Sequence, residues 1–156
     1  MKSYKVYVGI HPGMSGAIAT ISTLSSGMVD VYPIPIVDKS IDVQKLIGRI
    51  PFPDENIEVV ACIEKVWKPI SLVRMAGIIE GVCLSLDIPT LRVSASTWRK
   101  EVLGISNATK QDAIDYCIAK YPDVNLYRTE RSRTYDDNFA EAICIAEFCM
   151  LYNPTY

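Results

Sequence analysis

A chain of 156 residues, 49% hydrophobic and 22% charged, is long enough for one domain with a real core and too short for two ordinary ones, so a single domain over residues 1–156 is expected. Its 16 Lys and Arg against 18 Asp and Glu leave a net charge of −2, which excludes a globally basic nucleic-acid binder and makes any phosphate-binding face local. No stretch reaches the roughly 20 apolar residues of a membrane span, and Met1-Lys2-Ser3-Tyr4-Lys5 leads into a strand pattern without a signal-peptide core, so a soluble, cytoplasmic protein is expected.

Three β-rich runs open the chain, over residues 4–10, 16–22 and 28–33, joined by Gly-containing turns that predict an antiparallel meander. Position 11 stands out within it. The apolar run Val6, Val8, Ile10 ends in His11, Pro12-Gly13 breaks it, and Ser15-Gly16 starts the returning run. Pro33, Pro35, Pro51 and Pro53 then flank a short helical pattern in Asp42–Ile50. The run Ile57–Ile63 ends in Glu64, and Thr90–Val93 is a later strand pattern.

Between these two runs, Leu72, Met75, Ile79, Val82 and Leu86 recur at helical spacing, which predicts a strand, helix, strand crossover and parallel pairing. Gly77 and Gly81 each cost this helix about 1 kcal/mol in propensity relative to Ala, so they are read as permitting a close backbone approach. A second helix is predicted at about 109–121, where Thr109-Lys110-Gln111-Asp112 has the form of a capping box, and a last one at about 137–151. Asn125–Asp137, with Arg128, Arg131 and Arg133, reads as a mobile polar loop. The five cysteines (Cys62, Cys83, Cys117, Cys144, Cys149) form an odd set without a C-x-x-C pair, each in an apolar or helical stretch, and are expected to be buried reduced thiols.

The acidic residues carry the functional argument. Glu64 closes an apolar strand, and a lone acid in that place is commonly just solvated. Asp137 and Glu141 lie four apart on one helix face, where like charges repel unless a cation or solvent absorbs the repulsion. The helix dipole gives a partial answer for acids in a first turn. Glu141, however, leads into Ala142-Ile143-Cys144-Ile145-Ala146 and is drawn toward the core, where an acid needs a partner.

Taken in order, Gly9-Ile10-His11-Pro12-Gly13, Cys62-Ile63-Glu64-Lys65-Val66-Trp67, the Trp98–Gly104 segment followed by Lys110, and Phe139-Ala140-Glu141-Ala142-Ile143 resemble the motifs of the RuvC Holliday junction resolvases. The resemblance covers most of the chain, and the compact size fits a phage-type member. It implies an α/β, RNase H-like fold: a mixed five-stranded sheet, antiparallel meander then parallel strands, flanked by helices. It also implies a homodimer that hydrolyses phosphodiesters in branched DNA, four-way junctions above all, with Mg²⁺ (or Mn²⁺) held by clustered acids.

Carried over residue by residue, the resemblance implies His11, Glu64, Asp137 and Glu141 as catalytic and metal-binding positions, with Asp136 and Asn138 competing with Asp137. It implies Trp67, Arg99 and Lys110 as DNA contacts, with Lys65, Lys68, Arg74 and Arg133 as looser ones. The apolar, Gly-containing helix at 71–86 is read as the dimer surface. The family motif has Asp where this chain has His11. An imidazole offers one neutral nitrogen and no negative charge, which weakens Mg²⁺ binding and remains compatible with Mn²⁺. Three readings stay open: His11 as a ligand, His11 as an inactivating replacement, and a junction-binding relative without chemistry. His11 bonded to Glu64 or Glu141 without any metal is a further reading. A small-molecule phosphotransferase of the wider superfamily shares the strand-turn-strand opening, but needs a second phosphate-binding repeat for which this chain is too short.

Overall fold

Two alternating apolar faces on one central strand decide the architecture. The computed structural model describes residues 4–24 and 27–152. Strand β1 (Tyr4–His11) is flanked by the antiparallel β2 (Ala17–Ser22), which pairs with β3 (Met28–Pro33). After the small hairpin β4 (Ile36–Val37) and β5 (Ser40–Ile41) and the short helix α1 (Val43–Ile47), strand β6 (Ile57–Glu64) runs parallel to β1. Helix α2 (Ile70–Ser85) crosses over to β7 (Thr90–Val93), parallel to β6, and completes a five-stranded sheet in the order β3-β2-β1-β6-β7. Helix α3 (Ala95–Trp98), a π-helical turn (Arg99–Leu103), α4 (Lys110–Lys120) and α5 (Asp137–Leu151) follow. The mixed, meander-then-parallel sheet is the one the sequence predicts.

Side chains alternate across a strand, so each face of the sheet has its own core. Val6, Val8 and Ile10 of β1 join Val59, Ala61 and Ile63 of β6 and Met75, Ile79 and Val82 of α2 on one side. Tyr7 of β1 joins Val60 and Cys62 of β6 and the α5 residues Phe139, Ile143 and Ala146 on the other. Helix α5 is buried on nearly every side from Phe139 to Cys149, between the sheet and α4, as a helix apolar all round must be. Its approach to β1 requires Gly9: a Cβ there would lie 2.1 Å from the Ala146 backbone nitrogen.

The same alternation sets the site. Ile10 pairs with Ile63 on the α2 side, so the next residues, His11 and Glu64, both fall on the α5 side at the strand ends.

Three local expectations change. The Asp42–Ile50 pattern is helical only over Val43–Ile47, capped by Asp42, and the β4–β5 hairpin precedes it. Gly77 and Gly81 make no close approach: a Cβ at either would meet no described atom within 4 Å. Residues 125–136 are a tethered loop, because the Asp136 amide bonds the Leu126 carbonyl at 2.8 Å, Thr129 and Ser132 close a turn, and Arg128 bonds the Ser15 carbonyl at 2.5 Å. The capping box forms as predicted, with Thr109 and Asp112 exchanging hydrogen bonds. All five cysteines are buried and free, and burial pushes the Cys83 and Cys149 thiols up to about 12.

Candidate active site

His11 lies between two buried carboxylates. Its Nδ1 is 3.3 Å from Glu64 Oε1 and its Nε2 is 3.2 Å from Glu141 Oε2. An imidazole with a carboxylate oxygen near each nitrogen is favoured as imidazolium by charge, although Nδ1 makes no well-aligned hydrogen bond. Burial disfavours the charge, but the adjacent Glu64 and Glu141 carboxylates outweigh it and raise the His11 pKa above 6.5. Glu64 mirrors this: burial raises its pKa, while His11, the Trp98 indole and Arg99 together bring it below 4.5.

The other oxygens of the two acids are held by consecutive residues. Trp98 Nε1 donates to Glu64 Oε2 at 2.7 Å, and Arg99 Nη2 donates to Glu141 Oε1 at 2.6 Å. Ser94 caps α3, accepting from the Thr97 amide, and so fixes where Trp98 and Arg99 sit. Trp98 is wholly buried, and among the described residues Glu64 is the acceptor that satisfies its indole N–H.

Asp137, the first residue of α5, pairs with Lys110 at 2.6 Å, and this raises the Lys110 pKa. Asp136 caps α5 by accepting from the Phe139 amide and is bonded by Arg128. Burial works against its charge, yet Arg128, the Phe139 amide and Asn138 bring its pKa below 3.8. Asp136 is thus committed to the helix start, and Asn138 interacts with both Asp136 and His11.

The structure therefore brings His11, Glu64, Glu141 and Arg99 into one contact cluster, while Asp137, one turn before Glu141 on α5, pairs with Lys110 at the start of α4. Trp67, Lys65 and Lys68 lie on the exposed segment just after Glu64, and Trp67 is 81% exposed. Among the described residues, no group of three or more His, Cys, Asp or Glu side chains is arranged to hold a metal ion. The clustered carboxylates are closed instead by His11, Trp98, Arg99 and Lys110.

No protein-family model and no curated protein sequence matches the chain. Solved structures do. Thermus thermophilus RuvC aligns over 95% of both chains with a TM-score of 0.60 at 11% identity. The chain has the RuvC fold. The same T. thermophilus RuvC in complex with a Holliday junction substrate aligns over 95% of this chain and 94% of that one, with a TM-score of 0.61 at 14% identity. Fowlpox virus resolvase, solved with Holliday junction DNA, aligns over 94% and 98% with a TM-score of 0.55 at 17% identity.

Within this RuvC-type fold, two residues hold the site without a local motif to mark them. Trp98 lies in the polar turn Ala95-Ser96-Thr97-Trp98, and the signal for its role is that a Trp N–H, once buried, needs an acceptor. Arg128 lies in a polar loop, and nothing local marks the carbonyls of Ser15 and Gly16 as its partners.

Proposed function

We propose that this chain is a structure-selective endodeoxyribonuclease that hydrolyses phosphodiesters in branched DNA, four-way junctions foremost, as a homodimer. One observation carries the reading: Glu64, at the end of β6, and Glu141, in the first turns of α5, meet at His11 at the end of β1, in a fold shared with two proteins solved on junction DNA.

The residue types suit a divalent cation, with carboxylate oxygens from Glu64, Asp137 and Glu141 and one nitrogen from a deprotonated His11, which would hold it once His11, Arg99 and Lys110 release the acids they now occupy. The imidazole nitrogen favours Mn²⁺ over Mg²⁺. A pair of such ions held there would supply activation of water and stabilisation of the leaving oxygen in phosphodiester hydrolysis. The chain's own residues supply the rest. Trp98 and Arg99 orient the two buried acids, and His11 keeps Glu64 and Glu141 together. Arg99 and Lys110 offer charge to the scissile phosphate, as phosphate contacts position nucleic acid without reading sequence. Lys65 and Lys68 extend this local basic face, and Trp67 presents a ring for stacking at the branch point.

The homodimer rests on α2, whose solvent face carries Val73, Gly77, Gly81 and Leu84, with Leu84 56% exposed. A twofold axis through that face presents two sites to a junction with matching arms.

A second reading, a junction-binding protein without cleavage, is favoured by the His11 bridge, which fills the space between the two acids. Cleavage of a labelled four-way junction by the unaltered chain and by His11→Asp, in Mg²⁺ and in Mn²⁺, separates the two. The nuclease reading expects weak cleavage by the unaltered chain in Mn²⁺ and stronger cleavage by His11→Asp in Mg²⁺. Junction binding with no cleavage by either protein selects the second reading, and the absence of junction preference defeats both.

A further inference from the structure

The two most exposed large hydrophobic residues among those described, Ile70 at 87% and Trp67 at 81%, lie within four positions of each other, just past Glu64. Apolar surface of this kind beside a catalytic cluster marks a contact site. Next to it is a cavity of about 570 Å³ between the turn after β1, the β4–β5 hairpin and the first turns of α2. Its wall is mainly apolar, with Met14, Leu72, Met75 and Ile78, and its charged residues are Lys39 and Arg74 with no carboxylate. Both cations are exposed, and neither forms an ion pair among the described residues.

Volume, lining and charge match one ligand class. Small-molecule sites are mostly apolar clefts of roughly 300 to 1,000 Å³ with a few polar groups for orientation. A nucleobase suits the apolar wall, and its phosphate suits Lys39 and Arg74. The larger cavity, about 810 Å³ beside β3 and α4, lacks this match, because its Lys120 is paired with Glu147 and Asp123 adds a carboxylate to its wall.

We infer that this cavity receives an unpaired nucleotide of the branched substrate, base against Met14, Leu72 and Met75, phosphate on Lys39 and Arg74. The inference rests on the branched-DNA reading and names a contact of that substrate. Met14 is three residues beyond His11, and the turn carrying it packs on α2, since a Cβ at Gly13 would lie 3.7 Å from Leu72 Cδ1.

Methyl-labelled methionine makes the test direct. On titration with a short oligothymidylate, the Met14 and Met75 methyl resonances shift, while Met28 and Met150, which line the larger cavity, stay in place. The double variant Lys39→Glu, Arg74→Glu keeps the melting temperature and loses about tenfold in oligothymidylate affinity, as removal of phosphate contacts dictates. Unmoved Met14 and Met75 resonances, an unweakened double variant, or shifts confined to Met28 and Met150 overturn the inference. So do Met14 and Met75 shifts that follow protein dilution alone, which assign the cavity to a second copy. Junction-versus-duplex affinity of the unaltered chain is measured alongside. Junction preference with a silent cavity rejects the nucleotide site alone, and a responsive cavity without junction preference rejects the branched-DNA reading.

Discussion

Trp98 donates its indole N–H to Glu64 Oε2 at 2.7 Å, from a position with no solvent exposure. The bond gives a large core residue direct hold on a candidate catalytic acid. Trp98→Phe keeps most of the packing and removes the donor, leaving a buried carboxylate oxygen without its bond. A loss of about 1–3 kcal/mol is expected, which at about 2–4 °C per kcal/mol appears in thermal melts as a lowered Tm. The Glu64 pKa rises in the same variant, since the indole is one of the groups that lower it. Carboxylate titration followed by NMR checks this second outcome.

His11 stands where the resolvase motif has a negatively charged Asp and bridges Glu64 and Glu141 instead of adding to their charge, so exchanging them changes what the site needs. In chelator, His11→Asp sets a third carboxylate against Glu64 and Glu141 and removes their shared partner, at an expected cost of about 3–5 kcal/mol. Divalent ions that bind only the folded state recover about 2.7 kcal/mol at a hundredfold excess over Kd. Melts with and without Mg²⁺ or Mn²⁺ should show a large metal-dependent rise for His11→Asp and a small one for the unaltered chain. Equal responses from the two proteins contradict the bridging role of His11.

The acid–imidazole pair also makes stability depend on pH at both ends. The His11 pKa is raised above 6.5, so its contribution is complete below about pH 6.5 and is lost as pH rises through the higher folded value. The Glu64 pKa is lowered below 4.5, so its contribution is present above that value and is lost as pH falls through the lower folded one. In chelator, Tm should be highest between these limits. His11→Gln should flatten the alkaline limb, and thermal melts across the pH range test it.

Much of this was legible in the chain. The alternation of Val6, Val8, Ile10 and of Val59, Ala61, Ile63 specifies strands buried on both faces, and the helical spacing of Met75, Ile79 and Val82 specifies the crossover, because periodicity is a local property. That His11 and Glu64 fall at strand ends and Glu141 at the head of an apolar helix was also readable, since each stands where an apolar run stops or starts. The partners of those acids were not, because Trp98–Glu64 and Arg99–Glu141 span 34 and 42 residues and depend on how α3 docks. Arg128 is the extreme case: it reaches the Ser15 carbonyl across 113 residues, and loop composition alone suggested mobility.

Arg128 ties the turn after His11 to the cap of α5, through Ser15, Asp136 and the face of Phe139, whose ring centroid lies 4.9 Å from the guanidinium carbon. Arg128→Ala should cost about 1–3 kcal/mol, since it unpairs a charge-assisted bond at a partly buried acid. Hydrogen exchange should accelerate at the Phe139 amide, which Asp136 accepts, and around Gly16. Exchange unchanged at both places means that the loop does not brace the site.

Glycine positions separate packing within the chain from packing between chains. Gly9→Ala drives a methyl into the α5 backbone and should cost more than about 4 kcal/mol, or prevent folding, because neither backbone has room to yield. Gly77→Ala meets no described atom within 4 Å and should stabilise an isolated α2 by about 1 kcal/mol through helix propensity. On the proposed dimer face, that same methyl enters the seam between the two copies. Sedimentation equilibrium should then show weaker self-association for Gly77→Ala alongside a higher monomer Tm. A variant that gains stability and associates as tightly as the unaltered chain moves the dimer contact off this face of α2.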